Sequence, residues 1–191
     1  MKGTKSILLV GVGGQGTILA SKILTNVAIK QGYDVKMTEI HGMAQRGGSV
    51  VTQVRMGEKV HSPLIEPGQA DYIVAFEQLE ALRWIHFLND AGTVIVNTQR
   101  INPMTVIIGS AEYPSDALEQ VKAAAPKTIS LDALEIAKKL GNIRVVNVVL
   151  LGAMAKQMDI AKEDWLRALE ATVPARFLEL NRQAFQAGYD A

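Results

Sequence analysis

Apolar residues along this chain alternate between two patterns. Short runs such as the ILLV of residues 7–10 read as buried strands, and longer stretches repeat at helical spacing. The segment of about 16–30 puts Ile18, Leu19, Ile23 and Val27 on one helix face. It stops at Gly32, a residue suited to the left-handed position past a helix end. Continued along the chain, the alternation predicts strands near 7–10, 35–38, 50–55, 72–76, 94–97, 105–108 and 128–129. It predicts further helices at 77–88, 116–124, 132–140, 145–157, 162–172 and 174–187. Asp132 and Glu135 have capping-box spacing, and Pro174 suits a first helical turn. The expected fold is α/β, a Rossmann-like and mostly parallel sheet with flanking helices and a helical C-terminal part. No repeat or linker divides the chain, so residues 1–191 are read as a single domain.

One connection breaks the simple parallel pattern. About nine residues lie between the second strand and SVVTQVRM, whereas a parallel crossover takes a dozen or more. The third strand is therefore expected to be antiparallel or displaced. Glu39 stands roughly 20 residues beyond the first glycine cluster, where an acid can hold a ribose hydroxyl. A stand-alone NAD- or flavin-binding protein thus remains an alternative, beside the simpler role of Glu39 as a solvated strand end.

Composition narrows the function classes. With 191 residues, 48% of them apolar, the chain can bury a good core, and its formal charge of +1 leaves no basic stripe to follow a nucleic-acid backbone. It contains no cysteine, so a disulfide or a thiolate-held iron–sulfur cluster must sit on another polypeptide. The apolar run at the start is too short for a signal-peptide core. The longest apolar stretch, 145–155 broken by Asn147, falls short of the roughly 18–20 residues of a membrane span. A soluble, cytoplasmic protein with no membrane contact is expected.

The chemistry-bearing residues lie in two glycine-rich stretches. GVGGQG at 11–16 follows the first strand and opens the first helix. In that context Gly11 permits a turn, Gly13 lets a ligand approach the backbone, and Gly16 allows close packing, while the helix start attracts an anion. The Gln15 side-chain amide adds a donor to the same candidate site. Packing alone is the other reading of these glycines. The second stretch, HGMAQRGG at 41–48, is expected at the same carboxyl edge of the sheet. It contributes His41, Gln45, Arg46, Gly47 and Gly48, with Arg46 offering a planar fork to a phosphate or carboxylate. No catalytic set is complete: Ser21 lies within a helix, and neither G-x-S-x-G nor HExxH occurs. No catalytic or metal-binding residue is assigned.

GVGGQGTILASKIL, EIHGMAQRGGSVVTQVRMGEKVHSPLI, NVVLLGAMA and FLELNRQAFQAGY together resemble the gamma-type domain of 2-oxoacid:ferredoxin oxidoreductases. The resemblance spans nearly the whole chain. GGQG is common to the branches of that family, whereas HGMAQRGGSV resembles the beta subunits of the indolepyruvate branch; the gamma subunit of another 2-oxoacid branch is the alternative. The resemblance implies oxidative decarboxylation of aryl pyruvates to aryl-acetyl-CoA, with electrons passing to ferredoxin. Thiamine diphosphate and [4Fe-4S] clusters are then expected on a large alpha subunit, which fits a chain without cysteine. It further implies a shared coenzyme A site, with backbone amides at Gly13, Gly14, Gln15 and Gly16 facing an anionic group and Arg46 as charged helper. Alternatively, both loops face the alpha subunit without touching a ligand. The chain made alone is expected to be inactive and able to pair with itself through the surface meant for its partner.

Overall fold

The first strand, β1 (Lys5–Val12), is the axis of the fold, with Ile7, Leu8, Leu9 and Val10 entirely buried. A run this apolar on both faces belongs at the centre of a covered sheet. The computed structural model describes residues 3–41 and 47–191. After β1 come α1 (Thr17–Lys30), β2 (Asp34–His41), β3 (Ser49–Gly57) and β4 (Ala70–Ala75). Next are α2 (Gln78–Trp84), a 3-10 turn (Ile85–Phe87), β5 (Leu88–Asn97), α3 (Met104–Ile107), α4 (Ala117–Ala124), β6 (Thr128–Leu131) and α5 (Ala133–Lys139). A second 3-10 turn (Ile143–Val145) leads into α6 (Val146–Ala155), α7 (Lys162–Thr172) and α8 (Ala175–Asp190).

The sheet order is β2-β3-β1-β4-β5-β6. β1, β4, β5 and β6 are parallel, and β3 runs antiparallel to both β1 and β2. β3 thus pairs antiparallel with both β2 and β1 and inserts between them, as the short spacing after β2 leads one to expect. α1 ends as expected: the Gly32 N–H donates to the Ile29 carbonyl and the Tyr33 N–H to the Ala28 carbonyl, with Gly32 at φ +80.

One expected strand is absent. Residues 105–108, expected as a strand from their short apolar run, instead follow Pro103 into the single helical turn α3. Met104, Ile107 and Ile108 are all more than 60% exposed, so no sheet face rewards extension. The expected helix at 77–88 is also shorter, since the chain tightens into 3-10 form at Ile85 and enters β5 at Leu88.

The two faces of the sheet carry different cores. Ile7 and Leu9 pack with α1 and the C-terminal helices, whereas Leu8 and Val10 pack with residues of α2 and α4. α6 is buried along its full length and crosses α8 at glycine: a Cβ at Gly152 would strike the Phe185 carbonyl, and one at Gly188 the Val149 carbonyl. That contact accounts for the nearly unbroken apolar run of the C-terminal third. No helix among the described residues is long and apolar enough to cross a membrane.

Candidate functional site

β1 feeds α1 on one face of the sheet while its neighbour β4 feeds α2 on the other, so the chain parts between their carboxyl ends. Open α/β sheets bind ligands in such a crevice. Here the Gln15 side chain occupies it: Oε1 accepts from the Val12 N–H at 2.8 Å, and Nε2 donates to the Phe76 carbonyl at 2.9 Å. Asn97, fully buried on β5, donates to the same carbonyl at 3.1 Å and accepts from the Ala133 N–H at 3.1 Å. The free side-chain amide expected of Gln15 is therefore committed within the fold.

The glycines divide the work differently from the expected scheme. Gly11 lies within β1, and a Cβ there would sit 2.9 Å from both Gln15 Oε1 and Phe76 Cβ, so it serves close packing in place of a turn. Gly14 and Gly16 take the left-handed conformations, at φ +105 and +84. Gly16 meets α6, where buried Asn147 donates to its carbonyl at 3.0 Å. Gly13 is the seam between the two glycine-rich stretches: its N–H donates to the Gly48 carbonyl at 2.8 Å, and its carbonyl accepts from the Gly47 N–H at 3.3 Å. The stretches are thus brought side by side as expected. Donation to a ligand from Gly13 is already taken up, as is that from Gln15, whose N–H turns back to Val12 at 3.2 Å. The amides of Gly14, Gly16 and Thr17 have no partner among the described residues. α1 begins without a side-chain cap or an acid in its first turn, which leaves its positive end open.

A cleft lies on each side of this loop. One, of about 210 Å³, is bordered by Gly13, Gly14 and Thr17 with Glu39 and His41 of β2. The other, of about 400 Å³, is bordered by Gly14, Gly16, Gln99 and Asn147 with exposed Arg144. An anion is favoured on the Arg144 side, where the helix end and the guanidinium act together, and disfavoured beside Glu39. Gln45 and Arg46 lie outside the described residues.

Sequence reading passed over a second buried polar group, on α2. Glu77 follows β4 and caps α2 through Oε2, accepting from the Leu79 and Glu80 N–H groups at 2.7 and 3.0 Å. Its Oε1 accepts from the Ile101 N–H at 3.1 Å and from the Tyr113 hydroxyl. Burial and then the Glu77 carboxylate push the Tyr113 phenol up, while Arg100 stacks 4.1 Å from its ring centroid. Glu80, only 2% exposed, accepts from Ser49 Oγ at 2.5 Å and from Arg83 at 2.7 Å. Burial pushes its carboxyl above the ordinary glutamate range. The available signal was two acids, three apart, just after a strand whose last three residues are buried. For Asn147 it was the single polar residue in an apolar run. No three metal-ligating acids or histidines are grouped among the described residues. The arrangement can hold an anion and fix two loops in register, and among the described residues it brings no nucleophile together with a base.

The pyruvate ferredoxin/flavodoxin oxidoreductase family model matches residues 6–191. Indolepyruvate oxidoreductase subunit IorB of Thermococcus kodakarensis is 37% identical, covering 97% of this chain and 95% of the relative. The pyruvate/ketoisovalerate oxidoreductases common subunit gamma of the same organism is 28% identical, covering 94% of this chain and 92% of that one. The crystal structure of the gamma subunit of a keto/oxoacid ferredoxin oxidoreductase from Geobacter sulfurreducens superposes with TM-score 0.73 at 28% identity, covering 97% of this chain and 96% of its own. The chain belongs to the pyruvate ferredoxin/flavodoxin oxidoreductase family.

Proposed function

We propose that this chain is the small, beta-type subunit of an indolepyruvate:ferredoxin oxidoreductase. The supporting observation is the contrast within one organism: 37% identity to the indolepyruvate subunit against 28% to the pyruvate and ketoisovalerate one. The reaction takes an aryl pyruvate and coenzyme A to aryl-acetyl-CoA, carbon dioxide and a proton, and two electrons reduce ferredoxin. Thiamine diphosphate would supply the decarboxylation and iron–sulfur clusters the electron path, both on a larger partner subunit. This chain has no thiolate to hold a cluster.

Its own contribution is binding and placement. The open amides of Gly14 and Gly16, with Arg46 as the charged helper and Arg144 beside the same loop, suit an anionic group of coenzyme A at a site shared with the partner. The stand-alone nucleotide-binding alternative loses support because Gln15 fills the crevice a dinucleotide would use. Co-expression with a thiamine- and cluster-bearing partner tests the proposal. The stoichiometric complex should reduce ferredoxin with indolepyruvate and coenzyme A, and pyruvate should be a poor substrate. The purified chain alone should be colourless and inactive. Turnover by the chain alone, or a preference of the complex for pyruvate, would refute the reading.

A further inference from the structure

We infer that Ser49 and Glu80 form a positioning pair that holds the second glycine-rich stretch against the first, and so sets the geometry of the edge where Gly14 and Gly16 present their amides. The functional consequence rests on the proposed reading of that edge as a coenzyme A contact. Ser49 is the first residue of β3, paired with Val12 of β1, and is the point at which the second stretch joins the sheet. One residue earlier, the Gly48 carbonyl accepts the Gly13 N–H, and Gly47 donates back to Gly13. Among the described residues, both backbone bonds between the loops therefore lie within two residues of Ser49.

Gly47 and Gly48 carry no side chains and border a cavity of about 420 Å³ shared with Ser49, Glu80, Arg83 and Met104. A Cβ built on Gly47 would find nothing within 4 Å. What reaches across is the Glu80 carboxylate of α2, whose two oxygens accept separately from Ser49 and Arg83. A glutamate in the third position of a helix commonly turns back to cap its own N-terminus. Here Glu77 caps α2 with its own carboxylate, and Glu80 turns away from the helix start to reach Ser49 of β3. A carboxylate is costly to bury, so its place here is explained by the charge-assisted tether it provides between α2 and the loop junction.

The test uses the assembled complex and two readouts. In Ser49→Ala, hydrogen exchange in the peptides covering Gly13 and Gly47 should quicken on the order of tenfold, as expected for one lost charge-assisted bond, while the interior of β4 and β5 keeps its protection. KM for coenzyme A should rise by a similar factor, with KM for the aryl pyruvate unchanged. Glu80→Ala should reproduce both effects. Glu80→Gln should restore most of both, because its oxygen can accept from Arg83 while its amide donates to the serine hydroxyl, though without the charge. Unchanged exchange at Gly13 and Gly47 in Ser49→Ala, or Glu80→Gln as damaging as Glu80→Ala, would overturn the inference. Faster exchange with an unaltered coenzyme A KM would support the tether and instead refute the reading of this edge as a coenzyme A contact.

Discussion

Alanine at Gly14 and at Gly16 separates two reasons for a glycine within one loop. Both residues have left-handed backbone, so each variant should lose about 1–2 kcal/mol to conformational strain. Beyond that the sites differ. A methyl at Gly14 meets nothing within 4 Å, whereas one at Gly16 would sit 2.6 Å from Asn147 Nδ2 and push away the amide that donates to the Gly16 carbonyl. Asn147 is 2% exposed, and losing its bond to the Gly16 carbonyl costs about a further 1–3 kcal/mol. Gly14→Ala should therefore destabilise by about 1–2 kcal/mol and Gly16→Ala by about 2–5 kcal/mol. Urea unfolding at matched m-value gives both differences. In the Asn147→Ala background, Gly16→Ala should fall back towards the Gly14→Ala value, since only strain remains. Equal losses at the two glycines, or no relief in the double variant, would refute the assignment of Gly16 as the contact between α1 and α6.

Three further outcomes are expected. Arg46→Ala should raise the coenzyme A KM of the complex by tens- to hundreds-fold, the scale of about 1.5–3 kcal/mol for a bond to a charged group, and Arg46→Lys should recover part of it; a normal KM with reduced assembly would make it a subunit anchor. Gly188→Ala should destabilise by more than the 1–3 kcal/mol typical of overpacking, because the methyl meets the Val149 carbonyl and no rotamer relieves it; thermal unfolding measures this. Glu80 has a raised pKa, so the fold disfavours its charged form: the cost is absent where the group is protonated in both states, appears as pH rises through the ordinary value of 4.5, and is complete above the raised one. The stability of Glu80→Gln relative to the parent should accordingly grow between pH 4 and pH 7 in urea titrations, and a constant difference would contradict it.

How much was legible in the sequence depended on whether a residue's partners are local. β1 could be read from ILLV because a central strand is apolar on both faces, and the end of α1 from Gly32 because the cap is made by neighbouring residues. The antiparallel β3 followed from loop length alone. Residues 105–108 misled because β-branched residues also occur in an exposed turn, and only the absence of a neighbouring strand distinguishes the two. At the site, the meeting of the two glycine-rich stretches was legible, but the assignment of amides was not. Whether Gly13 and Gln15 keep a free N–H depends on Gly48 and on the local turn geometry, which spacing does not encode. Glu80 was invisible for the same reason, since its partner Ser49 is 31 residues away.

The polar residues at the carboxyl edge also set this Rossmann-like sheet apart from one that binds a dinucleotide. In a dinucleotide-binding sheet the second glycine leaves room over the crevice and the strand ends stay open to the ligand. Here Gly13 is joined to Gly47 and Gly48, and Gln15 and Asn97 both bond the Phe76 carbonyl, so the crevice is filled with hydrogen bonds from the chain itself. Each of those groups would have to break a bond to admit a nucleotide. What remains unsatisfied is displaced outward, to the start of α1 beside Arg144 and to the exposed apolar turn of Met104, Ile107 and Ile108. A closed crevice with open donors at its rim suits a surface that completes a site with another polypeptide, and it is consistent with a family whose relatives are named as subunits.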